Sequence, residues 1–292
     1  MRLCNNELLA LEIGKDFPNL ESLYVDQNPL LEINGLERLK YLRTLSAREQ
    51  VQEPTPNVCS TARILVQHSD IRSLYVSANP LTTFQMPHDF LNLQRLELAS
   101  SGLQSLPPNF GQLAPNIRFL NLNFNALKDL RPLLNIKRLN ELLLAGNRLS
   151  RLRKNLAVLS RQVSLTKLDL RDNPLTIGFY PPAVESRIVS LKGRSSHSDE
   201  VEAFTLPASN QQIDQQHLAR LDEDTRLRRR VHEMLLASSC NNLRELDGLP
   251  FDSQNVLVKD EVWERLRFLG IIRRSKPGDK AREAFESGDE TA

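Results

Sequence analysis

Cysteine is nearly missing from this 292-residue sequence. Its three copies, Cys4, Cys59 and Cys240, lie far apart and outside any Cys-x-x-Cys pair. Neither a disulfide framework nor a thiolate metal site has the spacing it needs, which points inside the cell. An asparagine-rich chain without one Asn-x-Ser/Thr acceptor points the same way. No apolar run approaches the roughly 18 residues of a membrane-spanning helix. The opening, Met1-Arg2-Leu3-Cys4-Asn5-Asn6, turns polar at once and does not read as a secretory leader. A formal charge of +2 is too near neutral to imply nucleic acid or acidic lipid. Dinucleotide, phosphate-loop, nucleophile-elbow and zinc-protease motifs are absent. The five histidines, His68, His88, His197, His217 and His232, show no ligand spacing. The run Asp222-Glu223-Asp224 reads as a solvated face rather than a general-acid pair. The expectation is therefore no catalytic residue, no metal, no cofactor and no membrane insertion.

What the chain does have is self-similarity. Aligned on L-x-x-L-x-L-x-x-N-x-L, copies begin at Leu20, Leu42, Ile71, Leu93, Ile117, Leu139 and Leu165. The steps are 22, 29, 22, 24, 22 and 26 residues, a base period of 22 with insertions. Met1, Leu3, Asn6 and Leu8 fit the second half of a further copy, so residues are expected upstream. The L-x-L step is the period of a strand, and x-x-N-x-L turns the chain away from it. Asn6, Asn28, Asn79, Asn125, Asn147 and Asn173 fill the turn position, with Gln50 and Ser101 in the two divergent copies. Their side chains are expected to satisfy backbone groups that the turn buries. No copy buries its apolar edge alone, so the copies must stack.

The spacing predicts an α/β leucine-rich-repeat solenoid: a parallel concave sheet, short convex helical or 3₁₀ turns, and a C-terminal helical cap. Repeats occupy 1–182, and the longest insertion, Val51 to Gln67, bulges from the convex face. A polar stretch over 183–213 reads as a mobile loop containing Ser195, Ser196 and Ser198. Cap helices and a last strand edge, Leu243 to Gly248, fill 214–272. Leu218, Leu221, Leu227, Val231, Met234 and Leu235 mark one helix from Asp214 to Ser239. A charged tail, 273–292, reads as disordered.

Function then falls to surfaces. Residues between the strand leucines line the concave face, where Tyr24, Tyr75, Arg95, Glu97, Phe119, Asn121, Phe124, Lys167 and Arg171 are the candidate partner contacts. The aromatics are expected to be exposed, and exposed aromatics beside arginine are enriched at protein interfaces. The charges are of mixed sign, which disfavours a duplex. A second candidate is Arg148, Arg151, Arg153, Lys154 and Arg161, a dock for an acidic or phosphorylated segment. Arg226, Arg228, Arg229 and Arg230 extend it or pair with Asp222 to Asp224. Phe179 and Tyr180 are expected to cover the end of the seventh repeat.

The 22-residue period with a Leu-Asp-Gly cap resembles the intracellular class that includes a protein phosphatase 1 regulatory subunit and the splicing A-prime protein. A narrower resemblance rests on Leu120 to Leu127, Leu144 to Arg153 and Leu168 to Pro182, with its Gly-Phe-Tyr-Pro-Pro run, and on Val231 to Leu236 and Asp260 to Trp263. These look like the C-terminal repeat domain of the fungal septation-initiation and mitotic-exit scaffold family, with centriolin a distant animal relative. That resemblance implies a non-enzymatic cytoplasmic and cytoskeletal scaffold at the spindle pole body. Its implied partners are an anchor protein of that body and a small-GTPase regulatory complex. The alternatives are a phosphatase 1 regulatory or targeting subunit and a splicing-type adaptor.

Overall fold

The computed structural model describes residues 1–13, 17–30, 32–50, 70–81, 84, 86, 89–181 and 204–268. The insertion 51–67, the serines of 195–198, Cys59, three of the histidines and the tail 273–292 lie outside them. Strands β1 (Ala10–Glu12), β2 (Ser22–Tyr24), β3 (Glu32–Asn34) and β4 (Thr44–Ser46) come first. β5 (Ser73–Tyr75), β6 (Arg95–Glu97), β7 (Phe119–Asn121), β8 (Glu141–Leu143) and β9 (Lys167–Asp169) follow. β10 (Glu245–Leu246) and β11 (Leu249–Pro250) close the fold.

One nine-stranded sheet runs β2-β4-β5-β6-β7-β8-β9-β10-β11, parallel until the last strand. Its register joins Leu23, Leu45, Leu74, Leu96, Leu120, Leu142 and Leu168 in successive layers. Leu98, Leu122 and Leu144, two residues further along, are each fully buried. The apolar spine expected from the period is present, and the α/β solenoid with it.

The turn asparagines reach further than their own turn. The Asn147 amide donates to Leu144 O at 2.9 Å and also to Leu122 O of the preceding repeat at 2.9 Å. Its Oδ1 accepts from Leu127 N, again one repeat back. Asn28, Asn125 and Asn173 repeat the pattern, so each ties two layers together. Gln50 imitates it, whereas the shorter Ser101 hydroxyl reaches only Ala99 O. The residue before this position takes a left-handed conformation in Gln27, Glu49, Ala78, Ser100, Phe124, Gly146 and Asp172. Only one is glycine. Each of the others costs about 1–2 kcal/mol, offset by the paired backbone.

The convex side starts differently from expectation. β1 and β3 pair in parallel as a two-stranded sheet behind the first repeats, and helical turns begin only afterwards. They are 3₁₀ turns at Leu36–Arg38 and Arg131–Leu133 and the helices α1 (Phe110–Leu113) and α2 (Leu152–Leu159).

The cap consists of α3 (Gln211–Arg220), α4 (Glu223–Ser239), α5 (Ser253–Val256) and α6 (Glu261–Phe268). The helix expected from Asp214 to Ser239 is in fact two, because Asp222 caps a new start by accepting from Thr225 N. The buried face of α4 also differs. It carries Thr225, Arg229, His232, Leu236 and Ala237 beside the expected Met234, while Leu227 and Val231 are half-buried and Leu235 faces outward. Leu236, Cys240, Leu243 and Leu246 continue the core past the last repeat. Of the stretch read as a mobile loop, residues 204–213 are described: Phe204 and Leu206 are buried and Gln211 already opens α3.

Candidate functional site: the concave face

The residues chosen from the strand pattern fall in register on one face, Tyr24, Ser46, Tyr75, Glu97, Asn121, Leu143 and Asp169 forming its central row. Five of those seven are buried, Ser46, Glu97, Asn121, Leu143 and Asp169. On the flanking rows Arg171 is buried too, and Phe119 is 9% exposed. The expectation that Phe119 is exposed fails for this reason. Tyr24, Tyr75, Arg95, Phe124 and Lys167 are half-buried.

Part of the cover is the chain itself. Residues 204–209 cross the sheet toward the cap. Phe204 O accepts from the side-chain amides of Asn121 and Asn123, both at 3.1 Å. Arg171 Nη1 donates to Pro207 O at 2.9 Å and to Ser209 Oγ at 3.0 Å. Ser209 ties the segment to the β10–β11 turn, its N–H donating to Gly248 O and its hydroxyl to Asp247 O. From β7 to β10 is three strand spacings, about 14 Å, which an extended chain of five steps spans comfortably.

Beneath this strap the polar groups hold one another. Arg48 grips Glu97 through Nε and Nη2 at 2.7 and 3.0 Å, and Ser77 Oγ donates to the same carboxylate. The Arg48 guanidinium also lies 4.6 Å from the Tyr75 ring centre and 5.8 Å from that of Phe204. Asp26 accepts from Ser46 Oγ and Arg48 N. Asp169 holds Arg171 at 2.6 Å, and Asp247 accepts from Leu170 N. Burial, together with the nearby Asp169 charge, pushes the Asp247 carboxyl upward.

Tyr24, Tyr75 and Phe119 are each stacked by an arginine. Arg2 lies over Tyr24 at 4.9 Å, and Arg95 lies over Phe119 at 3.5 Å and near Tyr75 at 5.8 Å. Such stacking desolvates the cation and adds about 0.5–2 kcal/mol per pair. The Phe124 ring covers Gly146 of the next repeat, where a Cβ would meet it at 2.7 Å. Lys167 is paired with Glu245 at 2.8 Å.

The basic residues divide. Arg148, Arg151, Arg153 and Lys154 are exposed around the start of α2, whose first turn holds no acidic residue. Cations there oppose the helix dipole. Arg161 lies beyond the other end of α2, where a cation suits the dipole, so the structure does not bring it to the first four. The arginines of α4 do not extend the cluster. Arg228 pairs with Asp224, Arg230 with Asp260, and Arg226 reaches Leu221 O. Arg229 is buried against Asp214, Glu233 and Phe179 O. Phe179 is itself buried at the end of the repeats, edge-on to His232.

Sequence reasoning missed the strap and the Arg229 node. Phe204, Leu206 and Pro207, apolar residues in a polar stretch, were the available signal. Among the described residues, no cluster of three or more His, Cys, Asp or Glu is placed to hold a metal ion, and no helix is long and apolar enough to cross a membrane.

No family model matches the chain. It is 31% identical over 245 residues, 82% of its length, to the septation initiation network scaffold protein cdc11 of Schizosaccharomyces pombe. It is 30% identical over 148 residues, 48% of its length, to the geranylgeranyl transferase type-2 subunit alpha of Sus scrofa. The chain spans about a quarter of each relative, 23% and 25%. A solved internalin C2 of Listeria monocytogenes shares 24% identity at a TM-score of 0.45, covering 59% of this chain and 71% of that one. By its own strand order the chain is a leucine-rich-repeat protein, and along four-fifths of its length its sequence is similar to that of the septation-network scaffold.

Proposed function

We propose that this chain is a non-enzymatic protein-binding module of a mitotic-exit and septation scaffold, working in the cytoskeletal setting of the spindle pole body. The observation that carries the reading is the similarity to cdc11 over most of this chain, at an identity that includes both the repeats and the cap. The fold supports it: a sheet of side chains stacked at fixed spacing offers an extended surface on which a protein partner can lie. Its partners are proteins, an anchor protein of the pole body and a small-GTPase regulatory complex, with neither nucleic acid nor membrane insertion.

Two surfaces carry the contacts. One is the N-terminal half of the concave face, with the half-buried Tyr24, Tyr75 and Arg95 held by stacking and therefore cheap to immobilise. The other is the exposed edge of Arg148, Arg151, Arg153 and Lys154, which suits an acidic or phosphorylated segment, since arginine grips phosphate with two parallel donors.

The test is the position of a fluorescently tagged chain through mitosis, followed by capture of its partners from mitotic lysate. Signal at the pole body with pole-body components in the capture is the expected result. A diffuse or nuclear-speckle signal throughout, or recovery of phosphatase 1 without pole-body proteins, overturns it.

A further inference from the structure

We infer that the concave groove over β7 to β9 is a binding site for an extended protein segment, filled in this chain by its own residues 204–209. The groove reads main chain. Two side-chain amides, of Asn121 and Asn123, converge on one carbonyl oxygen, and the Arg171 guanidinium takes a second carbonyl and a hydroxyl. At one end the Arg48 guanidinium stands by the strap's aromatic ring. The segment that fits carries an aromatic side chain, a large aliphatic one two residues later and a hydroxyl three beyond that, the pattern of the buried Phe204 and Leu206 and of Ser209.

The groove is organised without its occupant. Arg48 is fixed by Glu97, Glu97 by Ser77, and Arg171 by Asp169. Asn121 Oδ1 accepts from Asn123 N, and Asn123 Oδ1 accepts from Ala145 N at 2.8 Å. The donors turned toward the strap are thus spare valences of side chains anchored elsewhere. Removing the strap hands them to water without orphaning a buried charge, and a preformed site binds a replacement at less entropic cost.

At its C-terminal end the strap is tied to the cap: Ser209 is bonded to the β10–β11 turn, and Asn210 caps α3 immediately after it. A partner segment entering the groove competes with a tethered one, whose effective concentration is of order millimolar. The site names the chemistry of one segment that the proposed scaffold takes, and it rests on that reading only for the identity of the partner. Peptide binding and pole-body localisation fail independently.

The experiment uses the full chain and a fluorescein-labelled peptide, Phe-Thr-Leu-Pro-Ala-Ser, read by anisotropy. The double variant Phe204→Ala/Leu206→Ala is expected to bind the peptide at least about tenfold tighter than the unaltered chain, because the tethered competitor is weakened. Adding Asn121→Ala should remove most of that gain, and a scrambled peptide should not bind. Equal binding of the true and scrambled peptides, or indifference to Asn121→Ala, overturns the site. Hydrogen exchange on the unaltered chain guards against a variant that does not fold. Amides of Phe204 to Leu206 should exchange on the order of a hundredfold faster than those of Leu122 and Leu144. Protection equal to those strand amides makes the strap permanent core and overturns the site as well.

Discussion

Arg229 and Asp214 form a two-pronged ion pair, Nη1 to Oδ1 at 2.9 Å and Nη2 to Oδ2 at 2.8 Å, that locks α4 to α3 out of reach of water. Glu233 takes the Nε–H and Phe179 O shares Nη1, so the guanidinium binds both helices to the end of the repeats. Removing one member leaves the other charge buried. Arg229→Ala and Asp214→Ala are each expected to cost about 3–5 kcal/mol in urea unfolding. The double replacement Arg229→Met/Asp214→Leu should cost clearly less than the sum. Full additivity would mean that the pair is not a unit.

The asparagine ladder separates a two-layer bond from a local one. Asn147→Ala strips Leu122 O, Leu144 O and Leu127 N of a partner, all buried, at about 1–3 kcal/mol for each group left unsatisfied. Ser101→Ala removes one bond to Ala99 O and should cost about 1 kcal/mol. Equal losses in the two variants would refute the claim that the asparagine couples neighbouring repeats.

His232 gives the cap a pH signature. Burial, reinforced by the Arg229 charge, holds it down at about 4 from 6.5, and among the described residues neither ring nitrogen has a hydrogen-bond partner. Between those values the unfolded chain binds a proton that the folded chain refuses, so stability falls as pH drops from 6.5 toward 4. The span is worth roughly 3 kcal/mol. Asp247, pushed up by burial, acts in the opposite sense, favouring the folded state as pH falls. The measurement is therefore the difference between the unaltered chain and His232→Leu, in which the Asp247 contribution cancels. Parallel stability profiles from pH 7 to 4.5 would contradict the assignment.

The exposed basic edge should behave as an electrostatic dock. Reversing Arg151 and Arg153 to Glu is expected to weaken capture of an acidic or phosphorylated partner segment, with binding to the unaltered chain falling as salt rises. Melting temperature should hold or rise slightly, since both side chains face solvent and acidic groups at the start of α2 suit its dipole. Equal affinity in the double variant retires this surface.

The layered core was legible from the chain alone because it depends on a local rule. Each repeat places its leucines by strand alternation and its asparagine by the turn, and stacking identical shapes needs no information from far away. Leu98, Leu122 and Leu144 could be assigned to successive buried layers from their numbers. The same rule placed Tyr75, Glu97 and Asn121 on one face, since register follows period.

What that face touches was decided only in three dimensions. Phe204 meets Asn121 across 83 residues of sequence, and Arg229 meets Phe179 across 50. Neither contact repeats, so neither leaves a period to read. An arginine in a charged helical run looks solvated until Asp214 is folded against it. A Phe-Thr-Leu-Pro run in a polar stretch looks like linker until a groove of anchored donors is built to receive it. Periodic burial is written in the order of residues, whereas the pairing of single groups depends on where the whole chain brings them.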